Sequence, residues 1–195
     1  MENTEKEMSS EESLRVIQQM IHSAKRDFED DSFHYLLWGW LVFAASLGQF
    51  ILYKQGFEHS EITWLLMPVG AVIAFLYGRK QEKSERVKTY VSDFVKYVIG
   101  AMGISLFIVL CFQGKLQSST FPIIMILYAS MLFIMGGILQ FKPLMFGGIT
   151  NWLLAIVAFF FPIEMQLLIL AFAVLLGYII PGYLLGRRHK NSANA

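Results

Sequence analysis

The polar residues best placed to do chemistry in this chain are few, and they lie within long apolar stretches. Asn151 follows Thr150 inside one stretch, on the same helical face as Gly147, and an amide at that depth needs a hydrogen-bond partner. We expect Asn151 to bond to a neighbouring helix, with a ligand contact as the alternative. Pro181 and Gly182 interrupt another stretch. Because proline breaks the helical hydrogen-bond ladder, we expect a kink stabilised by packing, with a hinge or ligand-binding break as the alternative.

The sequence lacks the residue patterns of common catalytic and metal-binding sites. It contains no HExxH, GxSxG or P-loop motif, and its single cysteine, Cys111, lies within an apolar stretch. Glu29, Asp30 and Asp31 near His34 are expected to form a solvated helix cap rather than a metal site. No apolar stretch carries an interior charge, which argues against ion-coupled transport through this chain alone. We therefore predict that the protein is not an enzyme and uses no metal or cofactor.

Six apolar stretches, within residues 33–186, must position these side chains. The chain is 55% hydrophobic and 16% charged, with a mean hydropathy of +0.51, and a helix needs about 20 apolar residues to cross a bilayer. No small-residue cleavage site follows the first stretch, so we expect it to remain as an anchor. We predict an all-α polytopic membrane protein with six transmembrane helices, at residues 33–53, 62–78, 97–113, 121–139, 144–161 and 165–186.

If the chain crosses the membrane six times, its Lys and Arg residues are distributed unequally between the two sides of the membrane. Of the 16 Lys and Arg residues, only Lys54 and Lys115 fall on one side. Cytosolic loops of membrane proteins carry the excess of Lys and Arg. We therefore predict that both termini are cytosolic and that residues 187–195 form a basic cytosolic tail. The formal net charge of only +1 gives no electrostatic basis for nucleic-acid binding.

Residues 1–32 are a polar, acidic segment, with nine acidic and four basic residues. Ser9 and Glu12 match a capping box, and apolar residues then recur every three or four positions, as on one face of a helix. Anionic headgroups repel this net charge. We predict a cytosolic amphipathic helix whose apolar stripe either packs on the cytosolic ends of the protein's own spans or docks on a partner protein or a second copy. The stripe consists of Leu14, Ile17, Ile21, Ala24 and Phe28.

Small residues recur at helical spacing within the spans, as in Gly70, Ala74 and Gly78 of the second. Lipid tails give helices no hydrophobic drive to associate, and small residues permit the close packing that replaces it. We expect such residues to mark helix contacts. Gln49 and Gln166 lie near span ends, where we expect their amides to reach the membrane interface.

Three segments carry a resemblance to a known family. They read FHYLLWGWLVF (33–43), GGILQFKPLMFGGI (136–149) and GYIIPGYLL (177–185), and the segment EESLRVIQQMI precedes them. The chain resembles a family of small six-span bacterial inner-membrane proteins of unknown function. The resemblance implies a location in the bacterial plasma membrane. It brings no activity, substrate or catalytic residues.

Two functional hypotheses follow from these observations. The first is an accessory or regulatory membrane protein that acts through protein contacts, either with other proteins or as a homo-oligomer. The second is a binding subunit or permeation path for a small uncharged solute or a lipid, built around Asn151, Thr150 and the break at Pro181. The first rests on the Leu14–Phe28 stripe beside spans without catalytic groups.

Overall fold

A computed structural model describes residues 32–82 and 90–193, which are 91% helix and contain no strand. A 3-10 helix leads into the second long helix, and a π-helical turn interrupts the last one. The elements are α1 (Ser32–Lys54), a 3-10 helix (Ser60–Leu65), α2 (Leu66–Glu82), α3 (Tyr90–Cys111), α4 (Gln113–Leu116), a 3-10 turn (Gln117–Ser119), α5 (Thr120–Ile138), α6 (Lys142–Ala158), α7 (Ile163–Val174), a π segment (Leu175–Ile179) and α8 (Ile180–Ala193).

Five of these helices are long and apolar enough to cross a membrane. α6 is shorter, at 17 residues, which at 1.5 Å per residue gives about 26 Å against a hydrocarbon core of about 30 Å. The described part of the chain is thus helical with five candidate spans. They are Ser32–Lys54, Ser60–Arg79, Phe94–Cys111, Gln113–Ile138 and Ile163–Arg188.

A tight turn makes α5 and α6 antiparallel neighbours. Gln140 adopts a positive φ of 49°, and the Phe141 N–H donates to Gly136 O at 2.9 Å. The helices then approach closely, since a Cβ on Gly136 would lie 2.7 Å from the backbone nitrogen of Met145. Gly148 likewise faces the carbonyl oxygen of Ala129. Backbone-level packing of this kind requires glycine at both positions.

The turn between α6 and α7 is held by a buried side chain. Gln166 is fully buried, and its Nε2 donates to Phe161 O at 2.9 Å. The Gln166 N–H also donates to Pro162 O at 3.1 Å. This glutamine therefore supports the connection from within the bundle.

Helix α1 packs against the whole of the last helix, from α7 through the π segment to α8. Gly39 lies against Tyr178 and Ile179, and Gly182 lies against Leu36. Together with α5 and α6, these helices form the packed unit of the protein. Its largest fully buried hydrophobic side chains are Met125, Leu132, Leu139, Leu144, Leu167, Leu170, Val174 and Leu185.

Helices α2 and α3 lie at the periphery of this unit. α2 packs on α1, where Gly70 meets Leu41 and the Phe33 and Tyr77 rings stack at 4.1 Å. α3 packs mainly on α5. In the apolar windows of these two spans, only 6% and 11% of residues are buried, against 33% to 56% in the other candidate spans. Most of their apolar surface therefore faces outward.

Two hydrogen bonds join the 3-10 helix to α1. Thr63 Oγ1 donates to Ala45 O at 2.9 Å, and Trp64 Nε1 donates to Gln49 Oε1 at 2.6 Å. Together they fix the first loop, residues 55–59, at one end of the bundle, which we call the Lys54 end. An ion pair between Lys54 and Glu164, at 3.5 Å, brings the start of α7 to the same end.

Candidate functional site

Asn151 lies at the centre of the packed unit and is fully buried. Its Nδ2 donates to Gly147 O on its own helix at 2.9 Å and to Ala173 O on α7 at 3.0 Å. Its Oδ1 is buried and has no hydrogen-bond partner within the described residues. The amide thus links α6 to α7 with its donor hydrogens and keeps an unpaired acceptor.

The backbones of α6 and the π segment meet beside this amide. A Cβ on Gly147 would lie 2.8 Å from the Cα of Gly177, and a Cβ on Gly177 would overlap the Asn151 amide. The same Cβ would lie 2.9 Å from Leu132 Cδ1 on α5. Three helices converge here without room for one additional carbon, so the structure places a packed junction, not a cavity, at Gly147 and Asn151.

The π segment comes directly before Pro181. Ile180 N–H donates to Leu175 O, five residues back, and Pro181 has no N–H to donate. A proline ring crowds the carbonyl four residues earlier, here that of Gly177. Widening the turn before the proline accommodates that ring, and Pro181 and Gly182 remain buried. The predicted break is therefore a local π-helical widening, a feature that occurs often at functional sites.

The remaining candidates of this region lie apart from the Asn151 amide. Thr150 Oγ1 donates to Phe146 O on its own helix at 2.8 Å. Gly182 packs against Tyr35 and Leu36 of α1. The structure therefore brings Asn151 and Gly147 together, and it adds Gly177 and Ala173, which sequence reasoning had not connected with them.

A cluster of tyrosines lies next to the π segment. Tyr178 lies between Tyr35 on α1 and Tyr128 on α5, with ring centroids 6.2 and 5.6 Å apart. Tyr35 and Tyr178 are buried. Their only signal in the sequence is aromatic character, which does not show that they meet.

The predicted docking stripe and the acidic patch at 29–31 lie outside the described residues. Leu14, Ile17, Ile21, Ala24 and Phe28 therefore stay a prediction. Within residues 32–82 and 90–193, His, Cys, Asp and Glu do not gather in a group of three or more that could hold a metal ion. Cys111 is exposed and unbridged.

The peripheral helices α2 and α3 carry glycines that have open space beside them in the described part of the chain. Within residues 32–82 and 90–193, a Cβ added to Gly78, Gly100 or Gly103 would meet no atom within 4 Å outside the backbone of its own helix. By contrast, a Cβ added to several glycines of the packed unit would lie closer than 3 Å to an atom of a neighbouring element. These glycines are Gly39, Gly136, Gly147 and Gly177. The exposed surface of α3 also includes Phe107, which is 67% exposed.

Comparison with known proteins identifies no relative. The chain matches no protein-family model, and searches of curated proteins and of solved structures give no match.

Proposed function

We propose that this chain is a non-enzymatic accessory protein of the plasma (inner) membrane that acts through contacts with other proteins, including copies of itself. It crosses the membrane six times, with both termini in the cytosol, in the manner of the small inner-membrane proteins that it resembles. The observation that carries the proposal is the difference in packing between two groups of helices. Helices α1, α5, α6 and α7–α8 make a packed unit, whereas α2 and α3 leave most of their apolar surface outside the contacts of the described residues.

Glycine on these peripheral helices supports the proposal. A helical glycine is destabilising by about 1 kcal/mol relative to alanine, and among the described residues no other helix packs against the Cβ positions of Gly100 and Gly103. A partner helix that packs closely against α3 supplies such a contact, because small residues let helix backbones approach. The apolar stripe at Leu14–Phe28 offers a second contact on the cytosolic side.

A photocrosslinking amino acid tests this proposal in intact membranes. It replaces Phe107 on α3 in one variant and Phe146 on α6 in the other, positions that are 67% and 65% exposed. We expect Phe107 to give a defined protein product, identified by mass spectrometry as a second copy or another protein, and Phe146 to give lipid adducts only. Deletion of residues 1–28 should reduce the yield of that product. Lipid adducts alone at both positions, or equal protein capture at both, would contradict the proposal.

Solute binding at Asn151 has less support from the geometry. The amide nitrogen of Asn151 is taken up by two backbone carbonyls, and Thr150 bonds within its own helix. If Asn151 nevertheless contacts a ligand, native mass spectrometry of gently purified protein should detect a stoichiometric small molecule that the Asn151→Leu variant lacks. The accessory role predicts the same mass for both proteins apart from the substitution.

A further inference from the structure

A cavity of about 560 Å³ opens at the Lys54 end of the bundle. This volume lies within the range of ~300–1,000 Å³ that is usual for small-molecule sites. The cavity is bounded by the end of α1, the first loop, the start of the 3-10 helix and the start of α7. Its lining residues are Gln49, Tyr53, Gly56, Phe57, Glu58, Ser60, Glu61, Ile163 and Leu167.

The inner part of the cavity presents one oriented donor. Gln49 is only 9% exposed, and its Oε1 accepts the indole N–H of Trp64 at 2.6 Å. Because the Trp64 nitrogen can only donate, the oxygen of the amide must face it. The Nε2 of Gln49 therefore faces away from Trp64, and in the part of the chain that the structure describes it is a solvent-accessible donor, because it is not among the buried atoms without a partner. An accessible amide donor is suited to an oxygen acceptor on a ligand.

The mouth of the cavity is negatively charged. Glu58 and Glu61 are both exposed and line it. The nearby Lys54 is paired with Glu164 at 3.5 Å, so these two charges offset each other. His59 lies 3.5 Å from Glu61 and adds positive charge only when protonated. With neutral histidine, two carboxylate charges remain at the mouth.

Apolar and aromatic surface completes the lining. Leu167 is buried, Ile163 lies one helical turn before it, and Tyr53 and Phe57 add aromatic rings. Carboxylates and aromatic rings both attract organic cations. The cavity thus combines an anionic mouth, an apolar wall and an amide donor.

We propose that this cavity binds a small organic cation that has an ammonium group, an oxygen acceptor and an apolar body. The ammonium group meets Glu58 and Glu61, the acceptor meets Gln49 Nε2, and the apolar body rests on Ile163 and Leu167. Both a free amino alcohol and the ethanolamine headgroup of a lipid carry this chemistry. The proposal rests on the cavity alone, so it is independent of the accessory role.

Three probes of matched shape test the proposal on the full-length protein in detergent. They are 2-amino-1-phenylethanol (a cation), 1-phenylethane-1,2-diol (neutral) and mandelate (an anion). Tryptophan fluorescence reports binding through Trp64, and the Trp64→Phe variant shows how much of the signal comes from that residue. We expect the cation to bind about fivefold to tenfold more tightly than the diol, and mandelate to bind most weakly.

The double variant Glu58→Gln, Glu61→Gln is the main comparison. Both side chains are exposed, so the substitutions should not disturb folding, and unchanged affinity for the diol serves as the check. We expect the preference for the cation to disappear in this variant. Equal binding of cation and diol by the unmodified protein, a preference that survives in the variant, or no binding of the cation would overturn the proposal.

Lipid nanodiscs distinguish the two sources of the ligand. If the cavity holds a lipid headgroup, the amino alcohol should bind more weakly in phosphatidylethanolamine nanodiscs than in nanodiscs of an uncharged glycolipid. Equal affinity in both identifies a free amino alcohol as the ligand class.

Discussion

Glycines facing a neighbouring backbone allow the central helices to approach closely. At Gly147, an added Cβ would lie 2.8 Å from the Cα of Gly177 and 3.1 Å from its carbonyl oxygen. Both contacts are with backbone, so no side-chain rotation can relieve them. The fit at Asn151 depends on this separation, because its Nδ2 bridges the same two helices.

Replacement of Gly147 with alanine should therefore destabilise the protein by about 1–3 kcal/mol, the usual cost of overpacking. The matched control is Gly137→Ala on α5, where the new methyl group meets nothing within 4 Å among the described residues and helix propensity improves. Thermal unfolding in detergent should show a lower midpoint for Gly147→Ala and an unchanged or higher one for Gly137→Ala. Equal midpoints for the two variants would contradict the tight junction.

The sequence indicates which single residues need a hydrogen bond, but it does not identify their partners. A polar residue within an apolar stretch identifies Asn151 as one that needs a hydrogen bond. That its partner is Ala173 depends on how two helices rotate, which local pattern does not contain. Gln49 and Gln166 were expected at the interface because they lie near span ends, yet the structure buries both. Each is drawn inward by a specific bond, to Trp64 and to the Phe161 carbonyl.

The π segment at Leu175–Ile179 is the main irregularity at the scale of elements. Its backbone hydrogen bond joins residues five apart instead of four apart. The turn therefore contains one residue more than the corresponding turn of an α-helix. α7, the π segment and α8 all contact α1.

Deletion of Leu176 from the π segment, combined with Pro181→Ala to remove the ring that the widened turn accommodates, should consequently be tolerated, because α7 and α8 keep the faces that they present to α1. Deletion of Leu168 within α7 should not be tolerated, because it rotates the preceding residues by about 100° relative to the rest of the helix. Size-exclusion chromatography and thermal unfolding should show a folded protein for the first variant and loss of folded protein for the second. Similar loss of folded protein in both variants would show that the π segment does not hold one extra residue that can be removed without rotating α7 relative to α8.

Most helix positions could be predicted because span length and hydropathy are local properties. The predicted first span at 33–53 matches α1 within one residue at each end. The widened turn could not be predicted, since proline indicates a break without specifying its form. The outward position of α2 and α3 was also not predicted, because their composition resembles that of the packed spans and only contacts distinguish them.

At the scale of the whole molecule, the surface is consistent with a membrane as its surroundings. Many large apolar side chains are exposed, including Phe75, Phe107 and Phe160 at 60%, 67% and 83%. Large apolar side chains exposed in such number are unusual on proteins in water, whereas lipid accommodates them.

Six crossings require α6 to span despite its 17 residues. A helix shorter than the hydrocarbon core can be accommodated by local thinning of the bilayer, and the apolar residues 159–161 extend the segment. If α6 did not cross, the C-terminal tail would lie on the opposite side from residues 83–89. The position of the tail therefore distinguishes six spans from five.

Cysteine labelling in intact cells tests the membrane arrangement most directly. In a Cys111→Ser background, single cysteines replace Phe57, Gln117 and Asn191, and a membrane-impermeant maleimide is added before or after permeabilisation. The account predicts labelling of Phe57→Cys and Gln117→Cys in intact cells, and of Asn191→Cys only after permeabilisation. Labelling of Asn191→Cys in intact cells, or protection of the other two until permeabilisation, would contradict it.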